Sequence, residues 1–113
     1  MRYPYPDAII QVEDDEDVIV EVIFPDAGTT GSTFINIPGV FKQPIANAGS
    51  VCIGKGSELK RHSGIITSNL TNVEPRIDKI RETIKVAGET VVQHENLKSD
   101  DLAPSIKVTI IFQ

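Results

Sequence analysis

Gly49-Ser50-Val51-Cys52-Ile53-Gly54-Lys55-Gly56 comes within one residue of the phosphate-binding pattern G-x-x-x-x-G-K-[ST]. Such a loop cradles a phosphate in backbone N–H groups, reaches it with the lysine and ligates magnesium through the final hydroxyl. Here Gly56 stands where the hydroxyl should be, Pro44 precedes it where a buried strand is needed, and Gly64 leaves too little chain for the helix that should follow. The glycines read instead as a tight bend that needs positive φ.

Cys52, His62 and His94 could pair a thiolate with an imidazole, with Asp78 or Glu95 as the orienting group. None of them lies in a local catalytic signature. Cys52 between Val51 and Ile53 reads as a small buried hydrophobe, and His94, alternating with Val92, as a half-exposed strand residue. Two histidines without a spaced thiolate pair do not make a zinc site. Glu13 to Asp17 is a run of five acids that offers oxygen to calcium. It lacks the ligand spacing and the glycine of a loop that wraps an ion, and consecutive side chains point apart. Nothing among the sixteen acids selects the pair a glycosidase needs. No candidate joins a poised group to a supporting partner, so the expectation is a non-enzymatic protein with no catalytic, cofactor or metal site.

Lys55, Lys60, Arg61 and His62 form a small basic cluster, but no aromatic residue lies between Phe41 and Phe112 to stack on a base. In a chain of net charge −5 this argues against nucleic acid as a partner. The charge is unevenly spread: residues 1–26 hold eight acids and one base, 27–41 hold none, and 42–85 hold eight bases and four acids. Either these are solvated loops, or they make a dipolar surface that pairs with copies of itself or with a neighbour. The second reading nominates an interaction surface. Its members are Asp14, Asp15 and Asp17 of the acidic run, Thr29, Thr30, Phe34, Val40 and Phe41 of the uncharged stretch, and Lys55, Lys60 and Arg61 of the basic cluster.

The elements that would position these residues are strands. Ser105 to Gln113 alternates Ile106, Val108, Ile110 and Phe112 with Lys107, Thr109 and Ile111, a period of two that predicts a strand in the interior of a sheet. With no Trp, two Tyr and four Phe, the core must be aliphatic, and Ile and Val suit a pleated surface. Residues 1–7, with Pro4 and Pro6, read as an extended arm, and Ala8 to Val12 as an edge strand or docked segment. Val18 to Phe24 carries apolar residues on both faces and predicts a strand covered on two sides. It would form a hairpin with Thr33 to Ile37 through a long mobile tip, Pro25 to Ser32. Pro38 to Ser50 denies a long element, leaving Val40, Phe41 and Ile45 to lid the core or face a partner; Val51 to Ile53 is a stub of strand and Ile65 to Val73 a longer one.

One segment reads two ways. Val73, Ile77, Ile80, Ile84 and Ala87 have the spacing of an amphipathic helix, while Ile80, Glu82, Ile84 and Val86 alternate as a strand that turns at Ala87-Gly88 into Thr90 to Glu95. The Ile, Thr and Val content favours the hairpin; a helix over 75–87 would make the fold α+β. The prediction is one mostly β domain over 1–113, an antiparallel sandwich or partly open barrel of seven or eight strands.

No apolar h-region follows Met1-Arg2, and no apolar run reaches the roughly 18 residues of a membrane span. A lone cysteine offers no internal disulfide. The expected location is the cytoplasm or a particle assembled there, without secretion by a signal peptide and without a membrane. The expected function is a structural or assembly subunit acting through protein–protein contacts or self-association, as in a viral or tail-like particle. The alternative is a peptide- or carbohydrate-binding sandwich that uses the loops at one end, a version weakened for sugars by the lack of Trp.

Overall fold

The period-two runs become strands wherever one face can be buried. A computed structural model describes residues 1–113, with ten strands and a single turn of helix. In chain order they are β1 (Arg2–Pro4), β2 (Ala8–Ile10), β3 (Asp17–Ile23), β4 (Thr29–Ile37), β5 (Phe41–Ala46) and β6 (Gly49–Lys55), followed by α1 (Gly56–Leu59). Then come β7 (Ser63–Asn72), β8 (Lys79–Val86), β9 (Glu89–Leu97) and β10 (Ser105–Phe112). The first sheet runs β1-β10-β7-β4-β5, with β2 also on β10, and the second runs β6-β3-β8-β9. The two sheets face each other as a sandwich and do not close into a barrel.

β10 lies inside the first sheet, antiparallel to β7 and parallel to β1 and β2 on its other side. The arm steps from Pro4 opposite Lys107 to Ala8 opposite Ile110, one residue more than its partner uses. That bulge at Tyr5-Pro6-Asp7 switches phase, so that Tyr3 and Tyr5 before it and Ala8, Ile10 and Val12 after it all turn inward. The core is aliphatic apart from Phe112, and Val18, Val20, Ile35, Ile80, Ile84 and Ile106 are wholly buried in it.

Residues 75–87 are not helical. β8 and β9 form a hairpin whose turn residues, Ala87 and Gly88, have φ of 52° and 79°, the left-handed pair that a two-residue hairpin turn requires. Unbroken alternation turns Ile80, Glu82, Ile84 and Val86 inward along β8, while the register shift at Ile84/Lys85 leaves Val91 of β9 as the extra, bulged residue.

Four further expectations give way. β3 is buried on one face only, with Ile19 39% exposed and Glu21 in solvent, because no layer covers the second sheet from outside. β3 and β4 do not form a hairpin: they lie in different sheets, and β4 begins at Thr29, which leaves only a short turn through Gly28. The Thr-Thr-Gly-Ser stretch is strand because β-branched threonines suit the pleat. Gly31 fits where β4 passes so close to β7 that a Cβ would lie 2.5 Å from the Asn69 carbonyl oxygen. Pro38 to Ser50 contains β5 and the start of β6; Pro44 is accommodated because β5 is an edge. Cys52 is exposed, since its register partner Ile19 places it on the outer face of the second sheet. No helix is long and apolar enough to cross a membrane.

Candidate functional site

The acidic run folds back on itself between β2 and β3, with the Glu16 N–H donating to the Glu13 carbonyl at 3.2 Å. Directly opposite stands α1, whose backbone N–H groups at Gly56 and Ser57 donate to the carbonyls of Glu16 and Asp14. This contact brings the two oppositely charged stretches together inside one molecule. Lys60 Nζ lies 2.7 Å from Asp14 and Lys55 Nζ 2.8 Å from Asp17. The bonded carboxylates raise the pKa of both ammonium groups. These pairs are exposed and salt-screened, so they hold little energy, but they cancel charge that a partner would otherwise meet. Glu13, Asp15 and Glu16 are left without an ion-pair partner. Arg61, at φ 70°, lines a shallow depression with Lys60, His62 and Phe112.

The uncharged stretch divides. Thr29 is buried and accepts a hydrogen bond from Asn72 Nδ2 at 3.0 Å, so it belongs to the interior and not to an interaction surface. Val40 and Phe41 fold back against the core as a partial lid. Thr30 and Phe34 stand on the outer face of the first sheet, Phe34 36% exposed.

That outer face has a composition no single strand announces. One row crosses all its strands as Pro44, Phe34, Thr67, Lys107 and Pro4, and the next runs Lys42, Asn36, Ile65 and Thr109. Ile65 and Ile9 are 38% and 55% exposed. Around them the outward residues are mostly Ser, Thr and Asn, with Ile111 beside Ile9. The only charges are Arg2, Lys42 and Lys107, all basic and none in an ion pair; not one carboxylate points out from this sheet. A shallow depression here is lined by Arg2, Pro4, Ile65, Thr67, Ser105 and Lys107.

The second sheet's outer face is the opposite. Glu21 sits across from Lys85, Arg81 across from Glu95, and Lys79 Nζ lies 3.5 Å from Glu95. Arg81 donates two hydrogen bonds to Asp26, at 2.7 and 2.6 Å, which hold that carboxyl below its usual range. Charges there are matched within the face.

Between the sheets lies a polar cluster that the residue pattern did not flag. Glu82, 1% exposed, projects from β8 toward the first sheet. Ser68 Oγ donates to its Oε2 at 2.8 Å, and Thr33 Oγ1 lies 3.3 Å from the same oxygen. Oε1 has no partner. Burial outweighs the two hydroxyl bonds and pushes the carboxyl up from 4.5 to about 7. Across the hairpin from Glu82, His94 is buried at 3% exposure, not half-exposed as expected. Asn96 spends its Nδ2 on the carbonyls of Leu97 and Asp101, so its Oδ1 faces His94 Nε2 at 2.7 Å and that nitrogen carries the proton. His94 Nδ1 then accepts the Tyr5 hydroxyl at 2.8 Å, tying the arm to the second sheet, with the Tyr3 ring edge-on at 4.6 Å. A signal for Glu82 was present: it occupies the inward phase between Ile80 and Ile84. Nothing marked Tyr5 as its neighbour's partner.

Cys52 bonds only weakly, to the Gly54 carbonyl at 3.9 Å, while both His94 ring nitrogens are engaged elsewhere; no thiolate–imidazole pair forms. Nowhere do three His, Cys, Asp or Glu side chains converge as a metal ion would need. Comparison with protein-family models, with curated proteins and with solved structures returned no match.

Proposed function

We propose that the protein is a non-enzymatic assembly subunit that docks on neighbouring protein through the outer face of its first sheet, in a particle assembled in the cytoplasm. The observation that supports this is the unbalanced outer face: exposed Phe34, Ile65 and Ile9 lie among hydroxyl and amide side chains with three unpaired bases and no acid. A face of that kind offers apolar side chains interspersed with unpaired bases, which a protein partner can complete, whereas charges matched in place leave nothing for a partner to complete.

Light scattering and native mass measurement test the reading. Wild-type protein is expected to associate as concentration rises, and the double substitution Phe34→Asp, Ile65→Asp to abolish that association while the chain stays folded, with a thermal midpoint lowered by what two partly covered strand side chains contribute. A strict monomer at high concentration and low salt would count decisively against it.

A further inference from the structure

Two sets of unspent charge face away from this molecule, and they are of opposite sign. At one end, the turn between β2 and β3 projects Glu13 and Asp15, both exposed and neither hydrogen-bonded through its side chain, with Glu16 beside them. On the broad face of the first sheet, Lys42 and Lys107 flank the Phe34 and Ile65 rows and Arg2 lies at the margin. Neither set can satisfy the other within one chain. Asp14 and Asp17 are already held by Lys60 and Lys55, which pins the turn against α1 and aims its remaining acids outward.

A second copy of the same chain supplies what each set lacks. We propose that the acidic turn of one copy docks on the acid-free outer face of the first sheet of the next, Glu13 and Asp15 meeting Lys42 and Lys107. The docking rests on the assembly reading above and names its partner. The two patches differ, so the contact is heterologous: it propagates head to face into rings or open chains and does not end at a two-fold dimer. A protruding turn on a nearly flat sheet buries less than the roughly 1,200 Å² of a stable complex, so each contact is weak and the assembly depends on many of them. Exposed charges at the rim are screened by salt, which makes the association sensitive to ionic strength.

The test uses two full-length variants. Lys42→Glu with Lys107→Glu disables the face and leaves the turn; Glu13→Lys with Asp15→Lys disables the turn and leaves the face. All four side chains are exposed and unbonded, so both variants should stay folded, the turn variant with a slightly lower thermal midpoint because reversing Glu13 and Asp15 puts like charge near Lys60 and Lys55. Each alone is expected to be monomeric by native mass measurement, and an equimolar mixture to restore association as alternating chains, because the intact turn of one variant meets the intact face of the other and the two reversed patches also attract. Wild type should form longer species that weaken roughly tenfold or more between about 0.05 and 0.5 M salt. Wild-type association undiminished in either variant would overturn this docking mode while leaving the assembly reading intact. A wild type that stays monomeric would overturn both. If wild-type protein bound single-stranded DNA through Lys42 and Lys107 and did not self-associate, the face would be a polyanion surface and the proposal would fall.

Should either variant prove misfolded, the single substitutions Asp15→Lys and Lys107→Glu carry the same mixing test at reduced amplitude. Mixing that restores no association between folded single variants would likewise overturn it.

Discussion

The two sheets share one core but differ on both of their faces. Outside, the second sheet sets Glu21 against Lys85 and Arg81 against Glu95, with Asp26 clamped by Arg81; the first sheet shows three bases, no acid and an exposed Phe34. Inside, the contrast reverses. The second sheet contributes a carboxyl and an imidazole, Glu82 and His94, to an interior where the first offers uncharged groups, the hydroxyls of Thr29, Thr33 and Ser68 and the amide of Asn72. A sheet whose outer charges are matched in place has no surface demand left to meet. One whose bases stand alone beside apolar side chains is complete only against something else.

The largest effect tests the inner half of this comparison. Below pH 4.5 both folded and unfolded chains hold the Glu82 proton, while between 4.5 and about 7 only the folded chain does. Folding therefore takes up a proton across that window, and stability falls as pH rises through it. Above about 7 the ionised group is buried with one oxygen unpaired, at a cost on the order of 3 kcal/mol. Glu82→Gln removes the titration, so at pH 8 it should be more stable than wild type by about that amount, the two converging near pH 4. Urea denaturation at several pH values measures the difference, which isolates Glu82 from carboxyls such as Asp26 that shift the other way. A difference that stayed flat with pH would place the burden of that interior elsewhere.

A smaller effect tests how the arm joins the two sheets. Tyr5→Phe keeps the ring against His94 but removes its hydroxyl from Nδ1, which should cost about 1 kcal/mol. A loss in urea stability with faster amide exchange confined to residues 2–10 would confirm the tie; unchanged exchange there would show that β10 alone holds the arm.

The smallest effect, that on association, sharpens the outer half. Ile19→Asp places a new acid on the second sheet's outer face, where the side chain is already 39% exposed. It should leave association untouched, as read by scattering beside the Phe34→Asp, Ile65→Asp variant, at a stability cost of about 1 kcal/mol because Asp17 and Glu21 flank it on the same face. Equal loss of association from both would erase the distinction between the faces.

Much of this architecture was legible in residue order. Alternation marked β10, the run from Ile65 read as the strand β7, β-branched content favoured strand over helix for β8, and the scarcity of aromatics required the aliphatic core that forms around Phe112. The misread stretches share a cause. Thr29 to Ser32 and Lys42 to Ala46 contain the glycine and proline of loops, yet each lies in a strand whose neighbour makes those residues acceptable: Gly31 under a close approach to Asn69, Pro44 on an edge. Cys52 lies outside because a strand residue shares a face with those two positions away and not with the apolar residues beside it; His94 lies inside because the bulge at Val91 breaks the phase between Thr90 and Val92.

By itself, then, the sequence determined that the chain is built of short strands, which residues share a face of each, and that the interior is aliphatic. These follow from a local geometry that repeats every two residues and needs no knowledge of a neighbour. Only the tertiary structure decided which strands lie side by side. Pairing across the sheets set the acidic turn against Lys55 and Lys60, gathered Glu82, Ser68, Thr33, His94 and Tyr5 from five strands or their edges, and left Arg2, Lys42 and Lys107 together without an acid. Those groupings join residues as far apart as Arg2 and Lys107, and no local preference can specify them: a side chain's partner is fixed only when burial of the whole core selects one arrangement of the sheets.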